Sequence, residues 1–338
     1  MLKYIELKNK IIDLLESYKP DEQIPTNSEL AEKYSVSDIT VRKAVLELEK
    51  EGLVYGIHRR GKYKAEVGKE YKEIVFLIDE VHVERTPGLD VNPGLLEAFQ
   101  KDLTTSDYNL NLTLNSQDPE KEAFHIRKLL DRNIYGVIIN MYPTRKNFGL
   151  YKRLCEKKSN VVFVDKFVPI ANAHYVGTEN YKGALLLMEE VKKEEYDKII
   201  ILSFAENMIL NSEEDRLRAF NEMLPTLKCK DVTYISDWDK GLEIFQNLKG
   251  KKVCFLVTAG VVFNKIYDLY KEYIDNLGFC YVFSFDIPLP NIKKNMSFVW
   301  YKQNAKEIAH KAIELISKNP KKKKFIEIPG EIVKENYK

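Results

Sequence analysis

The stretch from Pro25 to Leu53, PTNSELAEKYSVSDITVRKAVLELEKEGL, decides how the first part of this chain folds. Thr26-x-x-Glu29 has the spacing of a capping box, in which each side chain satisfies an orphan backbone N–H of the other, so a helix starts here and runs through Tyr34. Ser35-Val36 is a brief turn. Ser37 then opens a second helix, with Val41, Val45 and Leu48 on one face, Thr40, Arg42 and Lys43 on the other, and Gly52 at its end. Two short helices joined this tightly read as a helix-turn-helix, whose second helix enters the DNA major groove. Upstream, residues 4–18 repeat Ile5, Ile11, Ile12 and Leu15 toward one side, and Pro20 helps end that helix. Downstream, LVY, the basic tip HRRGK and YKAE predict a small hairpin, or wing, with Gly61 at its turn.

Charge in this part is placed rather than abundant. Residues 1–67 hold twelve Lys/Arg and twelve Asp/Glu, yet His58, Arg59, Arg60, Lys62 and Lys64 gather on the wing and Arg42 and Lys43 on the helix. Phosphate contacts from such groups supply affinity, while base-edge contacts supply sequence choice. A solvated outer helix face and a charged hairpin tip are the plain alternatives. Asp38 raises a separate question, since its charge repels phosphate. Either it favours the positive end of the helix dipole, or it accepts from cytosine N4.

From Glu73 the grammar changes. EIVFLIDE (73–80), LNLTLN (110–115), GVIINMY (136–142), NVVFVDK (160–166), KIIILSF (198–204), KVCFLV (252–257) and FCYVFSFD (279–286) are continuous apolar runs, as expected for strands covered on both faces. Helical patterns such as DPEKEAFHIRKLLDRN and NYKGALLLMEEVKKEEY lie between them. Strands alternating with helices predict a doubly wound α/β fold with a parallel sheet. The expected organisation is therefore a DNA-binding domain over 1–66, a polar linker over 67–73 and an α/β domain over 74–338. No internal repeat is visible, and KKKK at 321–324 reads as a solvated loop.

Length and composition fit this: 338 residues are enough for two domains, and 44% hydrophobic with 31% charged residues describes an ordinary globular chain of net charge +2. No apolar run approaches the ~20 residues of a membrane span, and MLKYIELKNK has no secretory apolar core, so a cytoplasmic protein is expected. The four cysteines lack metal-ligand or disulfide spacing and the five histidines lack i,i+4 pairing, so no metal or cofactor is expected. No nucleophile elbow, P-loop or dinucleotide fingerprint supports catalysis. A carbohydrate-active enzyme, or another small-molecule-binding α/β protein with an accessory DNA-binding domain, is the alternative carried alongside a regulator.

The first segment resembles the winged helix of the GntR family of bacterial transcription factors: Pro25, Leu30, Ala31, Val36, Ser37, Thr40, Val41, Arg42, Ala44, Leu48, Glu51, Gly52 and Leu53 fall in that family's register. Relatives often carry Arg at the positions of Ser28 and Asp38, so the operator sequence is expected to differ. The resemblance implies DNA contacts from Ser28, Ser37, Asp38, Thr40, Arg42, Lys43, His58, Arg59, Arg60, Gly61 and Lys62. From Glu73 the order of IYGVIINMYP, NVVFVDK, HYVGTENYKGA, SEEDRLRAF, ISDWDKGLEIFQ, YVFSFDIP and PGEIVKENYK is similar to the effector domain of LacI/GalR-type repressors, a type I periplasmic-binding-protein-like fold of two α/β lobes. The combination resembles the arabinose-repressor subgroup. It implies a homodimer on double-stranded operator DNA, regulated by a small sugar such as arabinose, fucose or a phosphosugar.

Ligands in such folds sit beyond the carboxyl ends of strands. Polar strand-end residues are therefore candidates: Asp79 and Glu80, Asp165 and Lys166, and Asp286. The resemblance adds Ser212 and Arg216 as a pocket hydroxyl and guanidinium, Trp238 as an aromatic wall, and Gln303 as a further cleft group. Alternatives stand beside them. Arg216 can pair with Glu213, Asp165 and Asp286 can cap strands or bond across a hinge, and Trp238 can be packing. In LVTAG (256–260), Thr258 and Ala259 stand where relatives carry Asn-Asp. The linker lacks a hinge-helix pattern.

Overall fold

The computed structural model describes residues 3–57, 61–65, 72–79, 91–103, 107–115, 118–140, 146–166, 170, 172–204, 211–238, 241–286 and 295–337. They fall into two compact units, Met1–Tyr71 and Lys72–Lys338.

The first unit is α1 (Lys3–Leu15), α2 (Asn27–Tyr34), α3 (Asp38–Lys50) and a hairpin of β1 (Val54–Ile57) with β2 (Gly61–Lys64). The capping box at α2 is formed: Glu29 N–H donates to the Thr26 hydroxyl at 3.3 Å, and Thr26 N–H donates to the Glu29 carboxylate at 2.7 Å. Ser37 caps α3 through the Thr40 N–H at 3.3 Å. Leu30, Val41, Ala44, Val45 and Leu48 close over Ile11 and Leu15 in one core. The α1 face is rotated from its expected position: Leu7, not Ile5, is buried with Ile11 and Leu15. Gly52 at φ +69° ends α3, and Gly61 at φ +108° starts β2, conformations that cost a side-chain-bearing residue strain.

The second unit has two lobes. Lobe 1 contains β3 (Lys72–Asp79), α4 (Val91–Leu103), β4 (Tyr108–Asn115), α5 (Pro119–Asp131), β5 (Gly136–Ile139), α6 (Phe148–Lys157), β6 (Val161–Val164) and β7 (His174–Thr178). The chain then crosses to lobe 2: α7 (Asn180–Val191), β8 (Lys198–Leu202), α8 (Asn211–Met223), β9 (Val232–Ile235), α9 (Leu242–Gln246), β10 (Val253–Val257), α10 (Gly260–Asp275), β11 (Cys280–Phe285) and β12 (Met296–Lys302). It returns to lobe 1 with α11 (Ala305–Lys318) and β13 (Phe325–Ile328), then ends on lobe 2 with β14 (Glu331–Tyr337). The sheet orders are β4-β3-β5-β6-β7-β13 and β9-β8-β10-β11-β12-β14. The two lobes thus repeat one topology that no sequence repeat announces.

The seven expected strands all form, and alternation explains their apolar continuity. Ile74, Phe76 and Ile78 face α4 and α11, while Val75 and Leu77 face α5 and α6, so each β3 residue needs an apolar neighbour on its own side. β4 departs from this: Leu112 and Leu114 are exposed, because it is an edge strand. Lobe 2 is not wholly parallel, since β14 pairs antiparallel with β12. Glu73, expected at the linker's end, lies inside β3, which starts at Lys72; residues 66–71 lie outside the described residues, and with them the hinge-helix expectation. The lysine run is not simply solvated. Lys324 N–H donates to His174 Nδ1 at 3.2 Å and its carbonyl accepts from Tyr175 N–H, so the run's end is bound to β7.

Candidate functional site

On α3, the outward stripe is Ile39, Arg42, Lys43, Leu46 and Lys50. Asp38 forms an i,i+4 ion pair with Arg42 Nε at 2.7 Å, with the acid nearer the helix N-terminus, the favourable order. The Lys43 ammonium lies 4.4 Å from the centre of the Tyr4 ring, drawn back toward α1. Thr40 Oγ1 is 2.8 Å from the Ser37 hydroxyl, Ser28 is exposed on α2, and Lys62 of the wing pairs with Glu49. His58, Arg59 and Arg60 lie outside the described residues. Arg42, Lys43 and Lys62 are thus each engaged by a side chain of the same unit.

In the second unit, polar groups gather at the carboxyl ends of the sheets. Asn140 follows β5 and Asp165-Lys166 follow β6; Thr258 follows β10 and Asp286 follows β11. Asp165 and Asp286 occupy equivalent places in the two lobes, and both adopt left-handed backbone, at φ 63° and 61°. Lys166 Nζ donates to Asn140 Oδ1 at 3.0 Å and lies 3.5 Å from the Asp165 carboxylate.

Arg216 organises lobe 2. Buried in α8, it donates from Nε to Asn180 Oδ1 at 2.8 Å and from Nη1 to the Thr258 carbonyl at 2.6 Å, with its guanidinium 3.9 Å from the centre of the Phe285 ring. One turn earlier, buried Glu213 lies 3.5 Å from Nη1. Burial pushes the Glu213 carboxyl up, opposed by Arg216 and by the nearby Thr258 hydroxyl; Asp165 of the other lobe raises it further and Lys166 lowers it. Asp165 and Lys166 of lobe 1 are thus within electrostatic reach of Glu213 of lobe 2. Glu213 Oε2 and Thr258 Oγ1 are both buried and close enough for the hydroxyl to stabilise the carboxylate.

The hinge crosses at Glu179, at Gln303-Asn304 and at Pro329-Gly330. The Thr178 hydroxyl of lobe 1 donates to Gln303 Oε1, and the Gln303 amide donates to both Asp286 oxygens of lobe 2, at 2.9 and 2.8 Å. Glu179 N–H donates to the Ile328 carbonyl at 3.0 Å. Gln303 is thus the bridge between lobes.

Residues 4–63 match the family described as bacterial regulatory proteins, gntR family. The N-terminal unit is a GntR-family helix-turn-helix domain. The chain is 25% identical over 284 residues to the arabinose metabolism transcriptional repressor of Geobacillus stearothermophilus, covering 78% of this chain and 74% of that protein. Two solved structures share the fold of the second unit. One is a LacI transcriptional regulator from Lactobacillus brevis (TM-score 0.58, 15% identity, 77% of this chain and 99% of that one). The other is the Cra dual regulator from Pseudomonas putida in complex with fructose 1-phosphate (TM-score 0.59, 14% identity, 78% and 98%). The second unit has the two-lobed α/β fold of LacI-type and periplasmic-binding-protein-like domains.

Of the residues expected from sequence, this domain brings together Asp165, Lys166, Arg216, Asp286 and Gln303. Ser212 is buried at the start of α8. Asp79 closes β3, while Glu80 lies outside the described residues. Trp238 sits partly buried beyond β9, packed against the lobe 2 core, its indole N–H donating to the Ser203 carbonyl at 3.0 Å and its ring 6.2 Å from Phe204. Asn140, Asn180, Glu213 and Thr258 were not nominated. Among the described residues no group of three His, Cys, Asp or Glu could hold a metal, and no helix is long and apolar enough to cross a membrane.

Proposed function

We propose that this protein is a transcriptional repressor of sugar metabolism, which binds operator DNA as a homodimer through α3 and the wing and is controlled by a small sugar held between the lobes. The observation that carries the reading is the nearness of Asp165-Lys166 to Glu213-Arg216, bridged at the hinge by Thr178, Gln303 and Asp286, in a chain that also has a GntR unit. Carboxylates, an amide and a guanidinium of this kind hydrogen-bond sugar hydroxyls, and Trp238 supplies an apolar ring face. Asp79, Lys166 and Ser212 complete the proposed lining.

Ligand bridging both lobes favours a closed form, and any difference in reader spacing between forms couples it to DNA. Full reversal of occupancy needs a preference of ~5.5 kcal/mol. Ser28, Ser37, Asp38, Thr40, Arg42, Lys43, Gly61 and Lys62 are assigned to the DNA side, with His58, Arg59 and Arg60 expected at the wing tip. A thermal-shift screen against monosaccharides and phosphosugars, followed by DNA binding with and without the hits, tests this. Arabinose leads the screen because the Geobacillus relative is named for arabinose metabolism, fucose is added on the family resemblance, and phosphosugars are included because of the Cra complex. A stabilising sugar that leaves operator affinity unchanged refutes the control mechanism, and turnover of a hit refutes the repressor reading.

A further inference from the structure

We propose that Ile39 is a base-reading residue that recognises a thymine 5-methyl group in the major groove; this rests on the DNA-binding reading above. Ile39 is 79% exposed, the most exposed large hydrophobic side chain among the described residues. A lone exposed aliphatic residue is ordinary, but its position is not. It is the second residue of α3, on the turn that a helix-turn-helix presents to base edges, and β-branching there forgoes helix propensity without any core contact. Its neighbours on the stripe are Arg42 and Lys43, so the face offering this apolar group is basic and complementary to DNA.

Two contacts sharpen the choice of occupant. Asp38 pairs with Arg42 Nε and the Lys43 ammonium lies over the Tyr4 ring, so both cations beside Ile39 are engaged by neighbours within the unit while Ile39 stands exposed. The base feature that an aliphatic side chain can recognise in the major groove is the thymine methyl, whereas the other edges present donors and acceptors that it would desolvate unpaired. Leu46, also exposed, lies two turns along α3 and away from the end that meets bases.

The test begins with selection of binding sites from random duplexes by the full-length protein, then replaces each selected thymine by deoxyuridine, which lacks only the methyl. Wild type should lose about four-fold in affinity per half-site at one thymine, the worth of one buried methyl. Ile39→Ala should bind both duplexes equally, and Ile39→Val should retain part of the discrimination. Being exposed, Ile39 tolerates both changes, and an unaltered melting temperature checks this. An equal deoxyuridine penalty in wild type and Ile39→Ala, or no penalty at any thymine, overturns the assignment of Ile39 while leaving DNA binding intact. Failure to enrich any sequence overturns the DNA-binding reading itself.

Discussion

Replacing Arg216 by alanine is expected to damage the protein more broadly than a ligand contact would. The side chain has three polar engagements, with Asn180, the Thr258 carbonyl and Glu213, besides its stacking on Phe285. Its loss strands the Glu213 carboxylate beside Asp165 without the cation that opposes burial. Breaking a buried pair from one side costs about 3–5 kcal/mol. At 2–4 °C per kcal/mol for a unit of this size, the melting midpoint should fall by roughly 10 °C. Both tryptophans, Trp238 and Trp300, lie in lobe 2, so their fluorescence in a urea titration follows this unit and not the GntR unit.

The pH dependence separates cause from coincidence. Glu213 is held above its ordinary value in the fold, so the native state keeps a proton that the unfolded state has lost. Its contribution is fully present below about pH 4.5 and is lost as pH rises through the native value, with a limiting slope of about 1.4 kcal/mol per pH unit. Arg216→Ala should extend that loss to higher pH, and adding Glu213→Gln should abolish the extra slope and recover part of the stability. A cost below about 1 kcal/mol for Arg216→Ala, or an identical slope with and without Glu213→Gln, refutes the reasoning.

Gln303→Ala should cost about 1–3 kcal/mol in the same titration, since Asp286 and Thr178 lose their shared bridge, and should weaken any sugar-induced closure measured by small-angle scattering. Burial beside Lys323 and Lys324 pushes His174 down to about 4, so neutral His174 stabilises the fold above pH 6.5 and that stability is lost as pH falls toward 4, by up to roughly 3 kcal/mol. His174→Gln should flatten this acid limb of the urea midpoint, and an unchanged limb would assign it to other groups. Asp38→Ala should change stability by less than about 0.5 kcal/mol, because the pair with Arg42 is exposed. Asp38→Arg should change the selected operator; an unchanged operator would mean that the acid serves only the helix and its pair with Arg42.

The helix-turn-helix was legible because its signals are local: Thr26 with Glu29, Ser37 with Thr40, and an apolar face repeating every three or four residues. Most strands buried on both faces were legible for the same reason, as unbroken apolar runs; β12, MSFVWYK, was not among the expected strands although it too is buried on both faces. β7 was not, because His174 and Thr178 interrupt HYVGT with polar groups that are nonetheless buried. Their partners arrive from the last fifth of the chain: Lys323 and Lys324 flank His174, and Gln303 receives Thr178. β14 was illegible because, as an edge strand, EIVKENY mixes Glu331, Lys334 and Glu335 with Ile332, Val333 and Tyr337 and presents no unbroken apolar run.

The candidate site divides along the same line. Asp165 and Asp286 could be nominated because each ends an apolar run, and their left-handed backbone supplies a reason for the residue type. Asp and Asn are the side-chain-bearing residues that visit this conformation most readily, since a short polar group can bond locally. The same strand-end rule, applied evenly, also selects Asn140 after GVII and Thr258 after VCFLV, and both belong to the converging cluster. Thr258 is expected only as a departure from the Asn-Asp of relatives, and its part in the cluster comes from its backbone carbonyl, which sequence does not display. Glu213 was weighed only as the partner that would make Arg216 ordinary. The fold makes pairing and a place in the cluster compatible: the ion pair holds a buried carboxyl within electrostatic reach of Asp165 and Lys166, and Arg216 is itself fixed by Asn180 and the Thr258 carbonyl.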